Sequence, residues 1–209
     1  MDENIGTDIR FFCLPGTISE TPMTQIAVYC ASSKTLDDIY RVAAREVGIM
    51  LADNKIGLVF GGGNVGLMGE VARTVHSRGG HVTGVIPERL KSVEGVAYDV
   101  ADQLIVTESM SERKSIIWRR SDAFIALAGG IGTLEEFLEI ITLKKLAYHD
   151  RPVALVNTNG LFDPLLEQFA TCDDQGFSSQ RTNTLFDVVS RPTELLSLPS
   201  FSKIFDSAD

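Results

Sequence analysis

Short apolar runs alternate with longer segments of helical periodicity along most of the chain, beginning at about residue 25. The apolar runs predict strands at 26–30, 56–60, 82–86, 103–106, 123–127, 153–157 and 185–189. The segments between them predict helices at 36–53, 67–78, 110–121, 134–148 and 163–175. Strands that alternate with helices in this way predict an α/β protein, in which a parallel sheet carries helices on both faces.

The same pattern predicts one domain. Residues 1–24 have no sustained periodicity and contain Pro15, Gly16 and Pro22, so we expect them to form a flexible leader. Residues 25–209 contain no linker-like stretch and no internal repeat, and they are numerous enough to bury one sizeable core.

Composition excludes several classes of partner. The longest apolar runs are about six residues, which is too short for a membrane span, and the N-terminus lacks the pattern of a secretory signal. The formal net charge of −9 disfavours binding to nucleic acid. Three scattered cysteines argue against a disulfide framework and favour the reducing cytoplasm.

Two of the predicted strands end in glycine-rich loops that lead directly into helices. The first loop is GGGNVG at 61–66, and the second is GGIGT at 129–133. Glycine lets the backbone turn tightly and approach a ligand, and a helix start offers free N–H groups with a partial positive charge. Either loop alone fits a plain strand-to-helix turn, but the two together indicate a phosphate-binding site.

Neither loop matches a common nucleotide motif completely. Gly61, Gly63 and Gly66 have the G-x-G-x-x-G spacing of dinucleotide-binding proteins. The next predicted strand, 82–86, does not end in an acidic residue that would hold a ribose, and Glu88 is a poor candidate for that role. A triphosphate P-loop is disfavoured because neither loop ends in Gly-Lys-Ser/Thr.

These motifs resemble those of the Lonely Guy family, whose members are cytokinin riboside 5′-monophosphate phosphoribohydrolases. GGGNVGLMG at 61–69 resembles the family's first motif, and AGGIGTLEE at 128–136 resembles its second, PGGxGTxxE. SERK at 111–114 resembles the arginine–lysine element that precedes the second motif. The likeness extends from about residue 26 to about residue 176. It implies a Rossmann-like, doubly wound, single-domain fold and an assembly of at least two copies.

The resemblance also implies which residues act on the substrate. Arg113 and Glu136 match the pair that the family uses for catalysis. Glu94 would help to hold the substrate, and Arg113 and Lys114 would contact the nucleotide. The other positions implied to bind substrate are Gly61, Gly62, Gly63, Gly130, Ile131, Gly132, Thr133, Leu134, Glu135 and Thr142.

The implied reaction is hydrolysis of the N-glycosidic bond of a nucleoside 5′-monophosphate, which releases free base and ribose 5-phosphate. Glu136 would stabilise the positive charge that develops on the sugar and would orient or deprotonate the attacking water. Arg113 is suited to bidentate contact with phosphate or ribose oxygens. No cofactor is expected, because the chain has no His/Cys/Asp cluster at metal-ligand spacing and no convincing signature of a pyridoxal-phosphate site.

Both catalytic candidates also have a purely structural interpretation. Thr133 and Glu136 have the spacing of a capping box, in which the first residue starts a helix and the second supports it. Ser109 and Glu112, which precede Arg113, have the same spacing. On the residues alone, these positions fit a helix start as well as a reaction.

Three functions are open at this point. A phosphoribohydrolase for cytokinin nucleotides or AMP is favoured over a non-catalytic carrier of a nucleotide or phosphorylated cofactor, since a carrier needs the loops but not the Arg113–Glu136 pair. A dinucleotide oxidoreductase would need a substrate domain, for which 209 residues leave little room.

Two departures from the family bear on rate and substrate preference: Ala128 replaces a proline, and CASSK at 30–34 lacks a glycine that often follows the cysteine.

A homodimer or larger assembly is also expected from apolar content. The predicted helices 110–121 and 134–148 carry more apolar residues than one buried stripe needs, and an extra apolar face often marks an interface. The surplus residues are Ile116, Ile117, Trp118, Ile140 and Leu143.

Overall fold

A computed structural model describes residues 23–94, 97–178 and 181–206, with side chains for all of these except 92–94. The predicted leader at 1–24 therefore lies outside the described residues, apart from Met23 and Thr24. Seven strands pair in parallel throughout and form one sheet with helices on both faces. The predicted doubly wound α/β fold is confirmed.

The elements follow one another in strict strand–helix alternation through most of the chain. The strands are β1 (Gln25–Tyr29), β2 (Gly57–Phe60), β3 (Val82–Pro87), β4 (Gln103–Thr107), β5 (Ala123–Ala126), β6 (Val153–Val156) and β7 (Asp187–Val189). The helices are α1 (Asp38–Asp53), α2 (Gly66–Ser77), α3 (Glu88–Glu94), α4 (Met110–Arg120), α5 (Ile131–Lys145), α6 (Asp163–Asp174) and α7 (Pro199–Asp206).

The sheet has the strand order β4-β3-β2-β1-β5-β6-β7 and lies between two apolar layers. On one face, α1, α2 and α7 bury residues such as Leu51, Val71 and Phe201. On the other face, α4 and α5 bury Ile117 and Phe137, and α6 packs against them. Every residue of β2, β5 and β6 is buried, so these strands are continuous apolar runs rather than alternating ones.

Two helices were not predicted from the sequence. Helix α3 has seven residues and begins immediately after β3, and α7 has eight residues. Both are too short for helical periodicity to stand out in a window of 11–18 residues. Helix α7 nevertheless buries Phe201 and Phe205, which are one turn apart, against the sheet.

The start of α5 differs from the prediction in a way that matters for the site. The helix begins at Ile131, and the N-cap position is occupied by Gly130, which has no side chain to cap the helix. Thr133 is therefore the third residue of the helix, and Glu136 lies more than a turn inside it. The capping-box interpretation of Thr133 and Glu136 is wrong. At α4, by contrast, Ser109 is the N-cap, and its Oγ accepts a hydrogen bond from Glu112 N at 3.1 Å.

Candidate active site

A cleft lies at the carboxyl ends of the central strands, where the strand order reverses. The chain places β2, β3 and β4 successively on one side of β1 and then returns to place β5 on the other side. Open parallel sheets bind ligands at this point. The cleft has a volume of about 360 Å³. It is lined by residues 30–33, Gly61, Gly63, Met68, Ile86, Leu90, Arg113, residues 130–133 and Glu136.

The first glycine loop forms one wall of the cleft, and the fold itself requires its glycines. Gly62 and Gly66 have φ angles of +74° and +60°, in the left-handed region that glycine adopts readily. A Cβ atom at Gly66 would also lie 2.5 Å from backbone atoms of Ser32 and Ser33. The carbonyl of Gly62 accepts a hydrogen bond from Tyr98 N at 2.9 Å.

The second glycine loop leaves its backbone open to the cleft. A Cβ atom at Gly129 would collide with Thr133 Oγ1 at 2.0 Å, but Cβ atoms at Gly130 and Gly132 would meet nothing within 4 Å. Leu134 N donates to Gly130 O at 3.0 Å, which is the first bond of the helical ladder. The N–H groups before it have no partner within the helix, and they lie at the positive end of the helix dipole. The start of α5 is therefore suited to bind an anion such as a phosphate.

Arg113 reaches the cleft from the first turn of α4 and is held rigidly. Its Nε donates a hydrogen bond to Val85 O at 3.1 Å. Its guanidinium fills the space that a side chain at Gly61 would occupy, since a Cβ atom there would lie 2.0 Å from Arg113 Nη2. Arg113 is only 8% exposed. The cation is thus fixed beneath the first glycine loop, at the edge of the cleft.

Glu136 extends from α5 towards this cation. Its Oε1 lies 3.5 Å from Arg113 Nη1, and its side chain is 12% exposed. Burial raises the pKa of Glu136 to about 7, against the opposing influence of Arg113; Glu135 and Glu139 raise the pKa further, and Lys114 lowers it. A carboxyl group that titrates near neutral pH in a cleft is well matched to general acid–base chemistry.

Lys114 and Glu135 pair with each other beside the cleft. Lys114 Nζ contacts Glu135 Oε1 and lies 3.2 Å from Glu139 Oε1. Neither Lys114 nor Glu135 is among the residues that line the cleft. Two consecutive ion pairs, Arg113–Glu136 and Lys114–Glu135, therefore join α4 to α5, and only the first faces the cleft.

The remaining residues predicted to bind substrate lie at various depths. Leu134 is partly buried against the apolar layer of α4 and α5. Gly62 lies within the first loop but outside the cleft lining, and Thr142 is exposed further along α5. Glu94 is the last residue of α3, and its side chain lies outside the described part of the chain.

The carboxyl end of β1 contributes cleft residues that sequence reasoning missed. Cys30 is buried there, and burial raises the pKa of its thiol far above the usual value. Ala31 joins the two loops, because its N–H donates to Ala128 O at 3.0 Å and its carbonyl accepts from Leu67 N at 2.9 Å. The only signal in the sequence was the CASSK segment directly after an apolar run.

Within the described ranges, no group of three or more His, Cys, Asp or Glu side chains is arranged to hold a metal ion. No helix in those ranges is both long and apolar enough to span a bilayer.

Comparison with known proteins gives matches over most of the chain. A family model described as "Possible lysine decarboxylase" matches residues 68–198. The chain is 42% identical over 177 residues to the cytokinin riboside 5′-monophosphate phosphoribohydrolase LOG4 of Arabidopsis thaliana, with 85% of this chain and 81% of that protein covered. It is 43% identical over 169 residues to the phosphoribohydrolase LOG of Oryza sativa subsp. japonica, with 81% and 69% covered.

Solved structures with a similar fold include carriers of a molybdenum cofactor. The molybdenum cofactor binding protein of Rippkaea orientalis has a TM-score of 0.65 at 22% identity, with 85% of this chain and 96% of that chain covered. The molybdenum cofactor carrier protein of Chlamydomonas reinhardtii has a TM-score of 0.64 at 25% identity, with 88% and 99% covered. The first of these likenesses concerns the fold alone.

Proposed function

Because the chain belongs to the Lonely Guy family of cytokinin riboside 5′-monophosphate phosphoribohydrolases, we propose that it hydrolyses the N-glycosidic bond of such nucleotides and of AMP. The products are free base and ribose 5-phosphate. One observation carries the proposal: Arg113 and Glu136 meet at 3.5 Å in the cleft, beside the open start of α5. A carrier would need the anion site but not this pair.

The substrate phosphate binds at the start of α5, where Gly130 and Gly132 allow close approach to the backbone. This placement directs the ribose towards Glu136, more than one helical turn further along. Arg113 is a permanent cation at the rim and contacts ribose or phosphate oxygens. Glu94, Lys114, Glu135 and Thr142 have supporting roles that rest on the family resemblance.

Glu136 acts on the water and on the sugar. As the bond from C1′ to the base lengthens, positive charge develops on the ribose, and the carboxylate of Glu136 stabilises it. Water attacks C1′ and transfers one proton to Glu136, while the base leaves with the bonding electron pair and takes up a proton from solvent. Glu136 then releases its proton to solvent, which restores the carboxylate. The net reaction adds one water across the glycosidic bond and needs no redox partner.

A panel of nucleotides tests the reaction directly. Purified protein is incubated with AMP, isopentenyladenosine 5′-monophosphate and the corresponding nucleosides, and free base is measured by chromatography. We expect base from the monophosphates and far less from the nucleosides, because phosphate binding orients the sugar at the reacting carbon. Equal kcat/KM values for nucleoside and monophosphate would contradict the phosphate site.

A carrier of a phosphorylated cofactor is the second candidate function. It is supported by the structural likeness to the Chlamydomonas reinhardtii carrier, at 25% identity over 88% of this chain. The same panel separates the two functions. Saturable binding of nucleotide without release of base from any substrate would favour the carrier.

The assembly we propose is a homodimer in the cytoplasm. Of the five apolar residues predicted to support it, Ile116, Trp118 and Leu143 are only partly buried against the core. Ile117 and Ile140 are fully buried in the core and are not available to a partner. Besides Ile131, which lines the cleft, the exposed large apolar residues on α5 or just after it are Leu138, Leu146 and Tyr148. Light scattering at micromolar concentration tests the dimer, and a monomer would contradict it.

Cys30 and Cys172 are free thiols, which is compatible with a reducing compartment.

A further inference from the structure

A buried tyrosine connects the first glycine loop to two polar side chains that have no part in the proposed reaction. Tyr98 is 4% exposed, and its hydroxyl lies 3.0 Å from His76 Nδ1. His76 Nε2 lies 3.1 Å from Asp102 Oδ2. The three side chains form a continuous hydrogen-bonded chain, which we call the Tyr98 brace.

Tyr98 supports the loop by both its backbone and its ring. Its N–H donates to Gly62 O at 2.9 Å, in the middle of the loop. Its ring packs edge-on against Phe60, the residue before the loop, with ring centroids 6.2 Å apart. The preceding residue, Ala97, forms an isolated bridge with Gly63. Residues 97 and 98 therefore pair with the middle of the loop, at Gly63 and Gly62.

The other end of the brace is attached to rigid elements. His76 lies in the last turn of α2, the helix that begins at Gly66 in the same loop. Asp102 Oδ2 accepts a hydrogen bond from Val82 N at 2.8 Å, at the first residue of β3. The brace thus fixes Tyr98 to both a helix and a strand of the core.

We propose that Tyr98 is a positioning residue for the nucleotide site. Through its contact with His76, it sets the first glycine loop where Gly61 and Gly63 form the wall of the cleft. The inference rests on the proposed function, because it concerns binding of the same nucleotide. It predicts an effect on affinity rather than on the chemical step, since Arg113 and Glu136 are held by α4, α5 and Val85 O.

The first test is Tyr98→Phe, which removes one hydroxyl and keeps the ring and the N–H. We expect the Kd for AMP, measured by titration calorimetry, and the KM to rise about fivefold, the scale of one lost hydrogen bond. The kcat should stay within about twofold, as for the loss of uniform binding. Tyr148→Phe is the matched control, because Tyr148 is 68% exposed, and it should leave both constants unchanged.

A pair of substitutions at His76 separates the two contacts of the imidazole. The amide of asparagine lies near the position of Nδ1, whereas the amide of glutamine lies near the position of Nε2. We therefore expect His76→Asn to keep the contact with Tyr98 and a nearly normal Kd. His76→Gln should keep the contact with Asp102, lose the contact with Tyr98 and raise the Kd as Tyr98→Phe does.

Melting temperatures measured on the same variants distinguish a positioning role of the brace from a purely structural one. If Tyr98→Phe and His76→Gln lower the melting temperature but leave the Kd for AMP unchanged, the brace only stabilises the fold and the inference is overturned. If the wild type binds AMP but releases no base, the proposed function fails, and the Kd values still decide on the brace. Failure of the wild type to bind AMP or isopentenyladenosine 5′-monophosphate would overturn both.

Discussion

The two glycine loops have similar sequences but meet opposite requirements. In the first, glycine is needed by the protein: the Arg113 guanidinium occupies the side-chain space of Gly61, and Gly66 has a left-handed backbone. In the second, Gly130 and Gly132 have no positive φ, and a Cβ atom at either would meet nothing within 4 Å. The fold does not require glycine there, and the free space belongs to the cleft. We infer that the glycines of the first loop serve the protein, whereas Gly130 and Gly132 of the second loop serve the ligand. Gly129, where a Cβ atom would collide with Thr133, serves the protein as well.

The largest expected effect concerns the carboxylate that the second loop places in the cleft. Glu136→Gln should reduce kcat by about 100-fold or more, because an amide neither accepts the proton of water nor stabilises a cationic sugar. Binding of AMP should persist, since the start of α5 is unchanged. Glu135→Gln is the matched control and should keep most of the turnover. Comparable activity of Glu136→Gln and the wild type would remove Glu136 from the mechanism.

The same substitution should change stability with a defined pH dependence. Burial raises the pKa of Glu136 from 4.5 to about 7 in the folded protein, so ionisation destabilises the fold as pH rises between these values. Above pH 7 the destabilisation is complete, on the order of 2 kcal/mol after allowance for partial solvation. Urea unfolding at pH 8 should therefore show Glu136→Gln to be more stable than the wild type. The difference should nearly vanish at pH 4, below the unfolded pKa, and a difference independent of pH would refute this account.

A smaller loss is expected when the first loop is altered at the residue nearest the chemistry. Gly61→Ala places a methyl group 2.0 Å from Arg113 Nη2, so the guanidinium must leave its present position beside Glu136. We expect kcat/KM to fall about tenfold, the scale of about 1.4 kcal/mol of lost transition-state stabilisation. Steady-state kinetics measures this. Unchanged kcat/KM would mean that the position of Arg113 does not matter for turnover.

The smallest effect should come from the ligand-facing loop, and it should have opposite signs for binding and stability. Gly132→Ala adds a helix-favouring residue in the first turn of α5 and should stabilise the fold by about 0.5–1 kcal/mol. The added methyl group narrows the approach to the helix start, so the Kd for AMP should rise severalfold. A higher melting temperature with unchanged affinity would place the phosphate elsewhere.

Much of the fold could be predicted because the strands carry a strong signal. All seven strands begin and end within two residues of the predicted positions. The central strands β2, β5 and β6 are continuous apolar runs because they are buried on both faces, whereas the edge strands β4 and β7 are partly exposed. The start of α5 was missed because Ile131 and Gly132 follow two glycines and have the composition of a turn. Helix α3 was missed because its seven residues are too few to show a period.

The only site residues that could be predicted are those that stand in short, contiguous sequence motifs. Arg113 and Glu136 stand in short sequence motifs, and the structure brings them together. The contribution of residues 30–33 could not be predicted, because Ala31 meets Ala128 only through the order in which β1 and β5 pair. The partner of Lys114 also depends on how α4 and α5 pack, which no local pattern encodes.

The two consecutive ion pairs between α4 and α5 have a consequence for helix register. Glu135 and Glu136 are neighbours of the same chemical type, and a rotation of α5 by one residue, about 100°, would exchange them. Lys114 holds Glu135 outside the cleft while Arg113 faces Glu136 inside it. The buried face of α5, with Phe137, Ile140 and Ile141, fixes the rotation of the helix about its axis. The outer pair matches that rotation and adds little to it, since an exposed ion pair contributes about 0–1 kcal/mol. Of two adjacent carboxylates, one is thereby assigned to the solvent and the other to the ligand.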